Sequence, residues 1–173
     1  MNVRRIREQD WAQLREIRLE ALADNQLAFA EWLADAQVQT EDRWRERAAR
    51  GATGLASAQF VAETSAGRWA GITGGFHSED RPDAVTVYFV YVRREHRGAG
   101  VLDALIAAVQ AYAVSVPGVR RLFLQVHSAN ERAIAAYARL GFRDLGTTVT
   151  HPLDPREIER EMDRALPDVG VGW

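Results

Sequence analysis

The stretch with the most chemical content is Val90-Tyr91-Val92-Arg93-Arg94-Glu95-His96-Arg97-Gly98-Ala99-Gly100-Val101-Leu102. An apolar strand pattern runs into a glycine-containing turn, and a helical pattern opens straight after it. Such a turn directs unpaired backbone N–H groups outward at the positive end of the new helix, an arrangement suited to a phosphate or pyrophosphate. Gly98 and Gly100 let the backbone approach a ligand closely, because neither carries a Cβ. The Arg97 guanidinium could add a charged contact. Taken alone, the turn supports two readings, a phosphate holder or a plain strand-to-helix connection. A dinucleotide site would want a third glycine where Asp103 stands. A nucleoside-triphosphate loop would want a lysine, and all 22 basic residues of the Lys+Arg count are arginine.

Other chemistries are narrowed by what the chain lacks. With no cysteine there is no disulfide, no thiolate nucleophile and no cysteine-ligated metal. Histidines 77, 96, 127 and 151 share no metal-ligand spacing, so no metal is expected. The run Arg93–Arg97 has the composition of a solvated surface turn. A second stretch, Asn130-Glu131-Arg132-Ala133-Ile134-Ala135-Ala136-Tyr137-Ala138-Arg139-Leu140-Gly141-Phe142, reads as a short helix. Ser128–Glu131 forms a capping box before it, and Gly141 is its left-handed end.

The elements that would position these stretches follow from periodicity. A first strand is expected over Val3–Arg7. A helix follows, with Asp10 as its N-cap and Trp11, Leu14, Ile17, Ala21 and Leu22 on one face. Another helix should run from Thr40 to Gly51. Between them, Gln26–Gln39 fits a third helix or a loop. Phe60–Glu63, Trp69–Phe76 and Val85–Val92 read as strands, the last apolar on both faces and therefore central. Leu102, Leu105, Ile106, Val109 and Ala113 mark a helix that ends before Pro117-Gly118. A strand over Arg121–Val126 and the helix from Asn130 complete the alternation. The tail is ambiguous: Asp154-Pro155 with Ile158, Met162 and Leu166 suits a helix, whereas the alternation of Ile158, Arg160, Met162 and Arg164 suits an edge strand.

At 173 residues, 47% hydrophobic and 27% charged, the chain is sized for one globular domain over residues 1–173. A net charge of -2 gives no general case for nucleic-acid or membrane binding. The opening residues run straight into a strand pattern, with no apolar signal region and no long apolar span. A cytoplasmic protein is expected.

Together the two stretches resemble the GNAT superfamily of N-acetyltransferases. The family pattern is an apolar strand, then Arg/Gln-x-x-Gly-x-Gly/Ala opening a helix. An Asn follows some thirty residues later, before a short helix ending Tyr-x-x-x-Gly-Phe. Arg97, Gly98, Gly100, Asn130, Tyr137, Gly141 and Phe142 match in order and spacing, and the element order agrees along almost the whole chain. The resemblance implies an α/β (α+β) fold: a mixed, mostly antiparallel central sheet with helices on both faces. Its parallel strand pair, Val85–Val92 and Arg121–Val126, would be splayed to admit the cofactor, and the tail segment Ile158–Arg164 would be a strand.

It also implies acetyl-CoA as co-substrate and transfer of its acetyl group, in a ternary complex, to an amine of a small molecule or peptide. The backbones of Val90 and Val92 would pair with the pantetheine arm. The N–H groups of Gly98, Ala99, Gly100, Val101 and Leu102 would hold the pyrophosphate, with Arg97 beside them and Arg93 or Arg94 in reach of the 3′-phosphate. Asn130 would fix the pantetheine side. Tyr137 would present its hydroxyl to the sulfur, and a phenol with a pKa of about 10 can protonate a departing thiolate. Read without the resemblance, Tyr137 is an amphipathic core residue next to Ile134. His127, just past its strand and near the expected acyl carbonyl, is a candidate to accept the amine proton or else a solvent-facing loop residue. Glu63, His77 and Tyr88 are weaker candidates. Phe29, Trp32 and Leu33 are core or pocket lining. Glu31, Asp35, Glu79 and Asp80 are available for an acidic acceptor rim. Leu102 departs from the family's final small residue: its side chain turns into the core or crowds the phosphate. That departure keeps a non-catalytic acyl-CoA-binding module, or use of another acyl donor, as rivals. A homodimer, with Val169-Gly170-Val171 and Trp173 at its interface, is a further implication.

Overall fold

In a computed structural model describing residues 1–167, the chain forms β1 (Asn2–Arg5), α1 (Trp11–Asp24), α2 (Leu33–Gln37), α3 (Glu41–Thr53), β2 (Ser57–Glu63), β3 (Trp69–His77) and β4 (Ala84–Val92). These are followed by α4 (Val101–Val114), β5 (Arg121–His127), α5 (Glu131–Arg139), β6 (Arg143–Thr150) and β7 (Ile158–Ala165). The suggested interface residues Val169–Val171 and Trp173 lie outside the described residues. No helix among the described residues is long and apolar enough to cross a membrane.

The seven strands form one sheet in the order β1-β2-β3-β4-β5-β7-β6, antiparallel except for the parallel pair β4–β5. Successive residues of a strand face opposite sides of a sheet, and β2 shows what lies on each. Val61 is buried with Leu14 and Ile17 of α1 and Trp44 and Ala48 of α3. Its neighbour Ala62 is buried with Val101 and Leu105 of α4. Helices therefore cover both faces. Against β3, α4 sits so close that a Cβ on Gly75 would stand 2.8 Å from Val109 Cγ1.

Helix ends follow local chemistry in most places. Thr40 Oγ1 accepts the Arg43 N–H (3.4 Å) and starts α3. Asn130, not Ser128, caps α5 by accepting the Ala133 N–H (3.2 Å). Asp10 precedes α1 without capping it, because its carboxylate is spent on the Arg7 N–H (2.8 Å) and the Arg4 guanidinium (2.6 Å). Residues 26–39 resolve into a 3-10 turn, Gln26–Ala28, and the short α2. Phe29 is buried and Leu33 packs against the core edge, whereas Trp32 is exposed.

One irregularity matters for the site. Ile72 faces Tyr91 and Gly74 faces Tyr88, so β4 carries an extra residue in a bulge. Phe89 has φ 47, the one non-glycine residue with positive φ among the described residues. Its ring lies 4.4 Å from that of Phe29, and the Arg18 guanidinium stands 3.7 Å over it. Arg18 in turn pairs with Glu31 (2.5 Å), which also pairs with Arg47 of α3 (2.6 Å).

Candidate active site

β4 and β5 pair only through Ala84–Thr86 with Arg121–Phe123. Beyond Thr86 the strands part, because β4 bends at its bulge while β5 continues along β7 as far as His127 with Glu159. The gap widens into a cleft of about 520 Å³. One wall is the β4 edge, Val90–Val92. The second is α1 and the chain after it, with Ala21, Asp24, Ala28 and Phe29. The third is α5, with Asn130, Ala133, Ala136 and Tyr137. The turn Arg97–Leu102 closes the outer end.

The turn has the geometry its glycines suggested. Gly98 (φ 80) and Gly100 (φ 76) are left-handed, and a Cβ on either would meet nothing within 4 Å. Among the described residues the first N–H of α4 with a backbone acceptor is that of Ala104, bonded to the Gly100 carbonyl (3.1 Å). The preceding N–H groups therefore remain available to an anion. Leu102 is half-buried: it packs against the core cluster that holds Val109 and Tyr137 and also lines the cleft.

The arginines near the turn are already engaged. Arg97 Nε donates to the Val92 carbonyl (2.9 Å) and Nη2 to Asp24 (2.7 Å). Arg94 pairs with the same carboxylate, and these contacts, Arg97's first, hold Asp24 below the usual carboxylate range. Arg93 is buried, bound to Glu16 (2.7 Å) and Glu20 (3.0 Å), and is not among the residues that line the cleft. Arg132 of α5 lines the cleft and has no ion pair among the described residues. Arg139 clamps α5 to the turn helix through Asp103 (2.7 Å). Phe29 lines the cleft, one of the two places its segment allowed, whereas nothing local in the sequence signals Asp24 or Arg132 as parts of this site.

Tyr137 is buried on the inner face of α5 and lines the cleft, and no hydrogen bond from the described residues reaches its hydroxyl. Burial pushes its phenol well above the ordinary value. The hydroxyl therefore carries its proton at neutral pH. Asn130 also lines the cleft while capping α5. His127 is not part of the lining. It is buried at the end of β5, in a separate group with His151, Glu157 and Glu159. Of the weaker candidates, Glu63 pairs with Arg4 (3.1 Å) and His77 bonds the Pro82 carbonyl (3.0 Å). Glu31 is consumed by Arg18 and Arg47 and offers no free carboxylate to a rim.

Comparison with known proteins agrees with this geometry. The acetyltransferase (GNAT) family model matches residues 11–142. No curated protein sequence matches the chain. Among solved structures, a nourseothricin acetyltransferase is 32% identical (TM-score 0.59), over 65% of this chain and 66% of that one. A GNAT-family acetyltransferase of Streptococcus pneumoniae is 17% identical, with a TM-score of 0.79 over 96% of this chain and 99% of that one. The yncA protein of Salmonella typhimurium, solved with its cofactor acetyl-CoA, is 20% identical (TM-score 0.75), over 100% and 98% of the two chains. The last two likenesses concern the fold. The family model runs from the first residue of α1 to the turn that closes α5 and so spans both cleft-forming stretches, which makes this chain a member of the GNAT family of acetyltransferases.

Proposed function

We infer that the enzyme, acting as a single domain over residues 1–173, passes the acetyl group of acetyl-CoA directly to a primary amine of a small molecule or peptide. The observation that carries this reading is the cleft itself. It joins an outward-facing row of unpaired N–H groups at one end to an unbonded, protonated tyrosine hydroxyl along its wall. The residues present fit coenzyme A. The turn over Gly98, Ala99, Gly100, Val101 and Leu102 is open where the pyrophosphate would lie. The β4 edge past Thr86 is unpaired where a pantetheine arm would add as a strand, through Val90 and Val92. The Val92 carbonyl is held by Arg97, so that residue has its N–H to offer. Arg97 acts in this reading by fixing the turn rather than by touching phosphate, and Arg132 takes the free cationic position on α5.

Acetyl-CoA supplies the acyl group activated as a thioester. Tyr137 donates its proton to the departing sulfur, and Asn130 holds the start of α5, and with it Tyr137, against the cleft. Because the chain has no cysteine, no acyl-enzyme thioester can form, which favours direct transfer with both substrates bound. Leu102, half-buried against the core, supports turnover over a module that binds without it, because part of its side chain is drawn away from the turn.

The test is a panel of primary amines, with nourseothricin first, assayed with acetyl-CoA by release of free thiol. A cysteine-free enzyme contributes no background to such a reagent. Amine-dependent thiol release is expected. A rise in melting temperature with acetyl-CoA, but no release with any amine, would instead identify a binding module.

A further inference from the structure

α1 presents three carboxylates at successive four-residue steps, Glu16, Glu20 and Asp24, which stack them along one helix face. All three are turned to the end of β4 and the chain after it. Arg93 binds Glu16 (2.7 Å) and Glu20 (3.0 Å), and the Tyr91 hydroxyl donates to Glu20 (3.1 Å). Arg94 and Arg97 share Asp24. Asp24 is the odd member of the three. It is the last residue of α1, where the helix dipole disfavours a negative charge. It also lines a cleft whose residues fit a polyanion, with its side chain 13% exposed. Charge alone does not explain its place.

Its effect on Arg97 does. Nη2 donates to Asp24 Oδ2 (2.7 Å), which aims Nε at the Val92 carbonyl (2.9 Å), and the guanidinium carbon stands 5.8 Å from the centre of the Tyr91 ring. The side chain thereby links the end of β4 to the entry of the glycine turn and ties both to α1. Little else holds the turn. Gly98, Ala99 and Gly100 are exposed, and none of their N–H groups has a backbone acceptor among the described residues. A Cβ on either glycine would meet nothing within 4 Å. Glycine loses more freedom than any other residue when it is fixed. Such a turn needs an anchor at its entry if its N–H groups are to be in place before an anion arrives. The chain leaving Asp24 continues into the lining residues Ala28 and Phe29, so the clasp fixes the turn and the facing wall as one piece.

Resting on the coenzyme A reading above, we propose that Asp24 is a positioning residue for the cofactor: acting through Arg97, it anchors the entry of the Gly98–Gly100 turn to α1 and so raises the affinity for a pyrophosphate that its own charge repels. The same contacts occupy Arg94 and Arg97, which leaves the anion to the backbone N–H groups of the turn. Hydrogen bonds from Arg97 and then Arg94 hold Asp24 below the usual carboxylate range against the opposing effect of burial, so it is ionised at neutral pH. Position and charge therefore predict opposite signs. With Asp24 the clasp carries one net positive charge, and Asp24→Asn would leave it two. Were charge to govern, the variant would bind a polyanion more tightly. Where position governs, it binds more weakly.

Calorimetric titration of acetyl-CoA into the full chain reads this without turnover. Asp24→Asn should raise Kd about tenfold, the loss expected of one hydrogen bond to a charged group. Asp24→Glu keeps the carboxylate and should stay within a few-fold of wild type. Arg97→Ala should weaken binding at least as much as Asp24→Asn. In that Arg97→Ala background Asp24 retains only its charge, so adding Asp24→Asn should leave Kd unchanged or lower it. A residue that only stabilised the fold would lower the ligand-free melting temperature and leave Kd where it was, which overturns the proposal. So do tighter binding by Asp24→Asn, no loss with Arg97→Ala, a loss with Asp24→Glu as large as with Asp24→Asn, or the same tenfold loss in both backgrounds. Wild type that fails to bind acetyl-CoA rejects the cofactor reading and the proposal with it. Wild-type binding that Asp24→Asn does not change rejects the proposal alone.

Discussion

Replacing Glu31 by Gln tests the ion network behind the β4 bulge. Arg18 and Arg47 hold the Glu31 carboxyl down at about 2, from 4.5, against the opposing effect of burial. Across that interval the depression corresponds to about 3 kcal/mol of native-state stabilisation. Because the carboxylate keeps some contact with solvent, about 2 kcal/mol is the expected yield after screening. The Gln side chain keeps hydrogen-bonding capacity but leaves the Arg18 guanidinium, 12% exposed, without its counter-charge. For a chain of this size the variant should melt about 6 °C below wild type at pH 7. The sign with pH is fixed: a carboxyl whose folded pKa is depressed stabilises fully above its unfolded value and loses that contribution as pH falls through the folded one. The stability gap should be flat above pH 5, retain roughly 40% of its size at pH 3, and close as the pH falls through 2. Paired thermal melts from pH 7 downward measure it. A gap absent at pH 7, or one that does not shrink between pH 5 and 3, would refute the account of Glu31 as the anion that neutralises Arg18.

Three other substitutions probe the cleft. Tyr137→Phe should lower kcat about 100-fold while acetyl-CoA affinity by calorimetry stays unchanged; an unaltered rate would place the proton donor elsewhere. Gly100→Ala forces a methyl-bearing residue to hold φ 76, at about 1 kcal/mol. It also points that methyl into the open turn, so acetyl-CoA binding should weaken at least about tenfold, read by the same titration. Asn130→Ala removes the α5 cap and should cost about 1 kcal/mol in denaturant melts, whereas Asn130→Ser should recover most of it; equal losses would show that the cap is not the source.

Sequence periodicity was most informative where one local cause governs the outcome. Val101–Val114 has its expected bounds because the glycines before it and Pro117-Gly118 after it leave the helix no other extent. The tail shows why pattern alone can fail. Residues 158, 162 and 166 share a helix face, but they also share a strand face, since every even separation does. Only the resemblance favoured the strand, and β7 is one. Asp10 had a good capping sequence and lost it to Arg4 and the Arg7 N–H. Asp24 and Arg93 depend on partners some seventy residues away, beyond the reach of any window. The bulge at Phe89 carries no glycine to announce it. His127 was found by its position after a strand, but its burial with His151, Glu157 and Glu159 depends on contacts that exist only once β7 lies along β5.

The three-residue seam between β4 and β5 has a mechanical consequence. Hydrogen-bond continuity across the whole sheet passes through Ala84–Thr86 with Arg121–Phe123 and through the Asp83 carbonyl, which accepts the N–H groups of Arg120 (2.8 Å) and Arg121 (3.3 Å). The two half-sheets are otherwise joined by side chains: Val85 and Val87 from one half, Leu122, Leu124 and Val126 from the other, packed with Ile106, Val109 and Ala113 of α4, with the ion pairs Arg121–Asp83 (2.8 Å) and Arg81–Glu161 (3.5 Å) at the closed end of the seam. Such a joint is stiff against shear, because the interdigitated side chains must slide past one another. It is compliant in rotation about the seam, because few directional bonds oppose a change in angle. The opening angle of the cleft is thus the softest coordinate of a stiff body, and α4 behind it is the plate against which the two halves flex.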